Sequence, residues 1–284
     1  MSPGLNKATI GFPNEWRSFL ERHPSWPVVI KNLHGIFEKA FIRNATLESQ
    51  ADKIIFFMGR LCVEDFNEVF LLAGNGYGFG SLKILRGLYE RVVTMHYISE
   101  NQEAAASFLE YHYIHRGKLI HHAESFFGDL EQYISRPEIE EAKNDFDAHK
   151  SAFMRTACKK CKTKTVMQSW SKLDLESMAK KTGLDKLYFP GYYYPTLQVH
   201  ATTAALIYRL KGKEGKPFGF DEKSQPEVAD KSLIIAHNLA IHVIEIQNDF
   251  FNLSLEDDLS LLVSDYKDVW GKDTSDKHHK EKEV

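Results

Sequence analysis

Apolar residues recur every three or four positions along most of the chain, which is the spacing of amphipathic α-helices. In residues 28–44 the pattern is carried by Val28, Leu33, Ile36, Phe37, Ala40 and Phe41. The alternating pattern typical of strands is nearly absent. Further helices are predicted over about residues 46–72, 78–99, 103–127, 137–161, 195–210, 226–253 and 255–269.

The positions of the prolines agree with this helical pattern. Proline is absent from residues 28–136, and a proline inside a helix costs about 3 kcal/mol. Pro137 is well placed to open a helix, and Gly183 is placed to end a short one. The aromatic segment YFPGYYYP follows. We predict an all-α, multi-helix bundle with an irregular aromatic-rich insertion between about residues 165 and 194.

The 284 residues favour one helical domain over residues 1–265, with its core at about 28–255. Residues 266–284 are charged and almost without apolar side chains, so we expect a disordered tail. Hydrophobic residues make up 43% and charged residues 26%, which excludes wholesale disorder of the chain. The net charge of −3 argues against attachment to nucleic acid by bulk charge.

The cysteines and the apolar segments indicate a compartment. Three cysteines, an odd and sparse number, do not suggest a disulfide scaffold and fit a reducing environment. No uninterrupted apolar stretch reaches the roughly twenty residues that span a bilayer, and the first residues lack a secretory pattern. We therefore expect a cytoplasmic protein that does not enter a membrane.

Four glycines alternate along LLAGNGYGFGSLK, at positions 74, 76, 78 and 80. Glycine-rich loops can cradle phosphate groups at a helix N-terminus, but dinucleotide loops follow a strand. The residues before this run have the helical pattern, and the lysine and hydroxyl of a P-loop are missing in order. We interpret the run as a helix hairpin whose small residues allow close packing.

One polar stripe lies on the predicted helix over residues 78–99, which is otherwise mainly apolar and therefore central. Arg86 and Glu90 lie four residues apart on it and can pair directly. A buried pair contributes little net stability, because the cost of desolvation offsets the attraction. The pair is either a structural ion pair or part of a polar site within the bundle.

Histidine is frequent, with thirteen residues. His112, His115 and His122 share one helix face, and imidazoles act as acid–base groups or as metal ligands. Metal sites in four-helix bundles use the motif Glu-x-x-His, which the chain lacks. The closest approach is the reversed order His242-x-x-Glu245. We predict no metal and no other cofactor.

The segment RTACKKCKTK is strongly basic and contains no acidic residue. Cys158 and Cys161 within it have the spacing of half a zinc site, but no second pair exists. The basic side chains are the best candidate for a local phosphate or nucleic-acid patch, and the alternative is a solvated helix end. They are Arg155, Lys159, Lys160, Lys162 and Lys164.

Two arginines are each followed, five residues later, by a histidine, in Arg91–His96 and Arg116–His121. Such a pair could cleave RNA without a metal, with histidine as the acid–base and arginine on the phosphate. Residues five apart point about 140° apart on a helix, so one regular helix cannot aim both at one atom. The site would need a helix end or a dimer interface, which leaves a homodimer open.

Two segments resemble a widespread prokaryotic helical family of uncharacterised function. SLKILRGLYERVVTMHYI resembles its Arg-x-x-x-Glu helix, and YYYPTLQVHATTAALI resembles its Tyr-x-x-Ser/Thr-x-x-x-His segment. Trp170 and LESMAKKTG resemble the stretch between them, and the similarity covers roughly residues 50–250. The family's polar positions then correspond to Arg86, Glu90, Tyr193, Thr196 and His200, with threonine in place of the commoner serine at 196.

A looser resemblance connects the chain to the HEPN group of small helical proteins. Many HEPN proteins are RNases of toxin–antitoxin and anti-phage systems, which implies RNA as a partner. The HEPN arginine–histidine motif corresponds either to Arg91–His96 or to Arg116–His121.

Three classes of function follow as expectations. In the first, a polar pocket inside the bundle acts as a metal-independent RNase, in which Arg86 binds an anion, Glu90 orients it, and a buried His200 is the acid–base. In the second, the protein binds or scaffolds without catalysis, and the same network only fixes the packing of the helices. The third is a histidine–carboxylate metal enzyme.

Overall fold

The computed structural model describes residues 11–127, 129–157, 161–211 and 219–271. Helices dominate these residues, so the all-α prediction is confirmed. In chain order the α-helices are α1 (Glu15–Arg22), α2 (Trp26–Phe41), α3 (Gln50–Gly74), α4 (Gly78–Glu100), α5 (Ala104–Phe126), α6 (Arg136–His149), α7 (Leu175–Lys181), α8 (Tyr194–Val199), α9 (Thr203–Ile207), α10 (Pro226–Phe251) and α11 (Glu256–Trp270). None of the helices in these residues is long and apolar enough to cross a membrane.

Shorter elements connect the helices. A 3₁₀ turn spans Leu130–Gln132, a second spans Lys150–Phe153, a third spans Asp185–Leu187, and a π-helix spans Phe189–Tyr193. Two antiparallel pairs of short strands also occur, β1 (Met154–Thr156) with β2 (Lys164–Val166) and β3 (Leu210–Lys211) with β4 (Gly219–Phe220). The aromatic insertion predicted near residues 165–194 therefore contains several short helical elements.

The chain divides into two compact units. Unit 1 contains the described residues of Met1–Ser99 and Met178–Val284, and unit 2 those of Glu100–Ser177. The single domain over residues 1–265 stays a prediction. The start of the predicted tail is helical, since α11 continues to Trp270 and buries that ring, and the remainder of the tail after residue 271 lies outside the described residues.

α10 is the central helix of unit 1 and packs against α2, α3 and α11. Its Leu233, Ala236 and Leu239 are fully buried. α4 meets it through a buried hydroxyl pair, with Ser81 Oγ and Ser232 Oγ 2.5 Å apart. Both helices bury most of their apolar residues, as expected of central helices, and each also keeps polar positions that reach solvent.

The α3–α4 hairpin confirms the interpretation of the glycine run as a site of close packing. A Cβ on Gly74 would lie 2.1 Å from the Trp16 ring, and one on Gly78 would lie 2.7 Å from Ala229 N and from Gln225 O. The helix before the turn begins at Gln50, with Ser49 as its N-cap, rather than at about residue 46 as predicted. Ser49 and Asp52 form a reciprocal capping box there, which satisfies two free backbone N–H groups.

Unit 2 contains α5 packed against α6. The predicted helix over residues 137–161 was wrong beyond His149, because the 3₁₀ turn and the β1–β2 hairpin replace its second half. Phe153 is buried in unit 2, and its ring centroid lies 5.2 Å from that of Tyr111. The β-branched residues Thr156 and Thr165 then favour extended backbone.

The predicted helix after Pro195 was also too long, because α8 ends at Val199. The hydroxyl of Thr202 donates to Leu197 O at 2.6 Å and accepts from Ala205 N at 3.2 Å. It therefore occupies backbone groups at the end of α8 and caps α9.

We expect opposite effects from adding one methyl group at two glycines of α4. Gly78→Ala should lower the free energy of unfolding by about 1–3 kcal/mol, because its Cβ collides with the backbone of α10. Gly80→Ala is the matched control, since its Cβ meets no atom closer than 3.6 Å. That variant should gain up to about 1 kcal/mol from the helix propensity of alanine. Urea unfolding measures the stability of both variants. Equal destabilisation of the two would contradict the close approach of α4 to α10 at Gly78.

A buried histidine gives unit 1 a pH-dependent stability. Trp270 Nε1 donates to His237 Nδ1 at 3.1 Å, so the neutral ring carries its proton on Nε2. The Trp26 ring meets His237 edge to face at 5.3 Å. Burial among these rings lowers the pKa of His237 from 6.5 to about 4.

Between pH 6.5 and pH 4 the unfolded chain therefore binds a proton at His237 that the folded chain excludes. The stability due to the neutral ring is present above pH 6.5 and is lost as the pH falls. From pH 7.5 to 4.5 we expect His237 to cost about 2–3 kcal/mol of unfolding free energy. His237→Asn keeps an acceptor for Trp270 and does not titrate. Over the same change of pH, its unfolding free energy should therefore fall by about 2–3 kcal/mol less than that of the wild type. Urea unfolding at the two pH values would refute this if both proteins respond alike.

Candidate functional site

The centre of the candidate site is the guanidinium of Arg86 on α4. Its Nη2 donates to Glu90 Oε1 at 3.0 Å, one helical turn further along. The same nitrogen donates to the Tyr192 hydroxyl at 3.2 Å, which ties α4 to the π-helix. The exposed fractions of the Arg86 and Glu90 side chains are 24% and 40%, so the pair is reachable from solvent.

The surroundings of Arg86 hold its charge in place. Burial disfavours the cation, but the hydrogen bond to Tyr192 and the charge of Glu90 outweigh this effect and raise the pKa of Arg86. The guanidinium carbon also lies 4.9 Å from the centroid of the Tyr192 ring, within cation–π range. Arg86 Nε is buried and has no hydrogen-bond partner among the described residues. The site therefore holds a fixed positive charge that is partly open to solvent.

A group of three tyrosine rings supports this arrangement. Tyr89 is fully buried on α4, and its hydroxyl donates to Leu184 O at 3.0 Å. The rings of Tyr188 and Tyr192 lie 6.3 Å and 6.2 Å from it. Gly191 allows the approach, because a Cβ there would lie 2.9 Å from the Tyr89 ring. The π-helix is thus packed closely against α4.

The tyrosine that contacts Arg86 is Tyr192, whereas the family resemblance implied Tyr193. Tyr193 is 51% exposed and stacks on Phe189 at 5.8 Å. A π-helix accommodates one more residue in each turn than an α-helix, which changes the side chain that faces α4. The signal that could have found Tyr192 is the proline–glycine pair just before it, which interrupts regular α-helical hydrogen bonding.

Thr196 and His200 follow Tyr192 at intervals of four residues. Thr196 Oγ1 donates to Tyr192 O at 2.7 Å, and the backbone N–H of His200 donates to Thr196 O at 3.3 Å. The three residues therefore lie along one side of this segment. His200 is exposed, so the expectation that it is buried was wrong, because the chain leaves the helix there with extended backbone.

The second-choice residues lie elsewhere. Arg91 pairs with Asp65, whose side chain is 14% exposed and whose pKa is raised by this partial burial and lowered to a smaller extent by Arg91. His96 is half-buried on α4 and interacts electrostatically with Glu245. In unit 2, Arg116 pairs with Glu141 at 2.7 Å. His121 is exposed beside Phe146, with the ring centroids 5.4 Å apart.

The described residues of the basic patch, Arg155, Lys162 and Lys164, lie on or beside the strands β1 and β2 of unit 2 and not at a helix end. Arg155 pairs in register with Thr165, and Lys164 pairs with Thr156. Lys162 has a positive φ of 56° at the turn into β2. Lys159 and Lys160, with Cys158, lie outside the described residues, and the Sγ of Cys161 lies 2.8 Å from Thr163 Oγ1.

The other histidines give no metal site in the described part of the chain. His242 Nδ1 lies 2.9 Å from Glu245 Oε2 on α10, and this contact lowers the pKa of Glu245. His115 lies beside Tyr111 with the ring centroids 4.5 Å apart, and burial lowers its pKa. Across the described residues, no group of three histidine, cysteine or acidic side chains is arranged to hold a metal ion.

Comparison with known proteins gives one finding. A family model described as a family of unknown function, DUF5677, matches residues 52–217. This range includes all five positions inferred from the resemblance, and the prediction of an uncharacterised helical family is confirmed. No curated protein and no solved structure matched the chain.

The exposure of the Arg86–Glu90 pair predicts a small role in stability. We expect Glu90→Gln to lower the free energy of unfolding by less than about 1 kcal/mol, because partly exposed i,i+4 pairs contribute little. Asp65→Asn is the comparison variant, and it should lose more unfolding free energy, because the Asp65 side chain is only 14% exposed. Thermal and urea unfolding of both variants would measure the two losses. A larger loss at Glu90 than at Asp65 would favour the purely structural interpretation.

Proposed function

Because the chain belongs to the DUF5677 family, whose function is unknown, we propose from the site itself that it binds a phosphate group through Arg86 and cleaves RNA without a metal. The observation that carries this proposal is the partly exposed guanidinium held between Glu90 and Tyr192. Among the described residues its hydrogen bonds all use Nη2, which leaves Nη1 free to donate to a phosphate oxygen.

The fixed position of Arg86 supports binding rather than packing alone. A guanidinium that is already ordered loses little side-chain entropy when it binds an anion. Glu90 and Tyr192 supply this order from two different elements. The tyrosine ring face also orients the plane of the guanidinium. Phosphate recognition by arginine depends on such a planar, fork-like geometry.

His200 is the proposed acid–base group. It is exposed, and it lies eight residues beyond Tyr192, just past the C-terminal end of α8. We therefore assign Arg86 to one phosphate of an RNA strand and His200 to a neighbouring one. Thr196 lies between the two positions, but its hydroxyl is committed to Tyr192 O, so its role is to position the segment.

The reaction is a transphosphorylation within the RNA. His200 accepts the proton of a 2′-hydroxyl, and the 2′-oxygen bonds to the adjacent phosphorus. The bond from phosphorus to the 5′-oxygen breaks, and that oxygen takes a proton from water. The products are a 2′,3′-cyclic phosphate and a 5′-hydroxyl end. General acid–base catalysis by a positioned histidine contributes typically about 10²–10⁴-fold.

We expect purified protein to cleave single-stranded RNA in the presence of EDTA. Arg86→Ala should weaken RNA binding at least tenfold, and Arg86→Lys should restore part of it through charge alone. His200→Ala should bind RNA as the wild type does but cleave it at least a hundredfold more slowly. His121→Ala is the matched control and should remain fully active, because its neighbouring arginine, Arg116, is paired with Glu141.

The experiment distinguishes the alternatives. No cleavage by the wild type, together with unchanged RNA binding by Arg86→Ala, would overturn the proposal and favour a scaffold role. Full activity of His200→Ala with loss in His121→Ala would transfer catalysis to unit 2. A toxin or anti-phage role can be tested in cells. Induced wild-type protein should arrest growth, whereas Arg86→Ala and His200→Ala should not.

A further inference from the structure

A second feature of unit 1 is a cavity of about 460 Å³ between the aromatic segment and α10. This volume is in the range of small-molecule sites, about 300–1,000 Å³. Leu82 of α4 and the isoleucines Ile234 and Ile235 of α10 contribute its aliphatic wall. The other wall is aromatic and comes from the π-helix, α8 and the end of α9.

Three aromatic side chains line this cavity, namely Phe189, Tyr194 and Tyr208. Phe189 is 63% exposed and Tyr208 is 53% exposed, although both belong to a compact unit. The rings of Tyr194 and Tyr208 meet edge to face at 6.0 Å. Burial, followed by the proximity of Tyr208, raises the pKa of Tyr194, so its hydroxyl remains a donor. A flat ring placed in this cavity would cover aromatic surface that is now open to water.

The cavity adjoins the Arg86 site through two elements that serve both. Leu82 lies one helical turn before Arg86 on α4, about 6 Å along the axis. Phe189 and Pro190 line the cavity, and Tyr192 of the same π-helix contacts Arg86. A molecule with a ring in the cavity could therefore place an attached anionic group near the guanidinium.

The charges around the cavity select the kind of molecule. Its lining residues include one basic side chain, Lys231, and no acidic one. The remaining polar groups are the hydroxyls of Tyr194 and Tyr208, which interact with each other and retain one O–H donor and free lone pairs for a ring edge. An aromatic ring with hydrogen-bonding edges and an attached anion fits these features together, and nucleotides have this chemistry.

We propose that this cavity receives an unpaired nucleobase whose phosphate is bound by Arg86, so that the substrate class is single-stranded RNA. The inference rests on the proposed function, because it assigns the base to the nucleotide that Arg86 holds. Stacking on aromatic side chains tolerates different bases, since every base has a flat face. A base-paired duplex cannot supply a free base, so it should compete poorly.

Ligand-observed NMR by saturation transfer tests the cavity separately from Arg86. We use adenosine, which has no phosphate, together with AMP and ribose 5-phosphate. Adenine protons should receive saturation from the wild-type protein in both adenosine and AMP. Phe189→Ala and Tyr208→Ala should weaken AMP binding about tenfold or more. Tyr208→Phe, which keeps the ring, should bind nearly as well as the wild type.

Two controls separate this inference from the proposed function. Tyr133→Ala removes an exposed tyrosine of unit 2 and should change nothing. Arg86→Ala should weaken AMP and ribose 5-phosphate but leave adenosine unaffected. If adenosine gives no signal, or binds Phe189→Ala and Tyr208→Ala like the wild type, the cavity proposal is overturned while RNA binding through Arg86 can stand. Adenosine bound in the cavity without any RNA cleavage would instead refute the RNase alone.

Discussion

The close approach of α4 to α10 is the contact on which the geometry of unit 1 depends. At Gly78 the two backbones are so near that a single Cβ would meet a backbone nitrogen and a backbone oxygen at 2.7 Å. The buried hydroxyls of Ser81 and Ser232 then fix the register one turn further on. Because the rotation of α4 is set at this end, Leu82 and Leu85 turn inward and Arg86 reaches the aromatic segment.

The partial burial of Arg86 is a compromise between two costs. Full burial of a guanidinium and a carboxylate would require several kcal/mol of desolvation for each ion. Full exposure would leave a pair screened by water and salt, with side chains free to move. At 24% exposure, the cation is ordered by Glu90 and Tyr192 while part of its surface faces solvent. Such an intermediate environment gives little stability, and it keeps an ordered charge within reach of solvent, as the proposed binding of an anion requires.

The sequence predicted those parts of the fold that have a uniform period. α3, α4, α5, α10 and α11 begin and end within a few residues of their predicted limits, because each has a long apolar stripe. Short elements could not be predicted in this way. The three-residue strands of the hairpin are too short to show a period, and the π-helix changes the period itself. One extra residue in a turn is enough to bring Tyr192 rather than Tyr193 to Arg86.

The two Arg–His spacings illustrate why a motif needs its surroundings. Arg91 is committed to Asp65, a carboxylate that is 14% exposed, and releasing it would leave a buried charge without its partner. Arg116 contacts both Glu141 and Asp145, and these contacts raise its pKa further. Arg86 also has a carboxylate, but Glu90 is more exposed than Asp65, and Arg86 pairs with this one carboxylate where Arg116 pairs with two. A phosphate can therefore add to the coordination of Arg86 without displacing a largely buried ion, as at Arg91, and without competing with two carboxylates, as at Arg116.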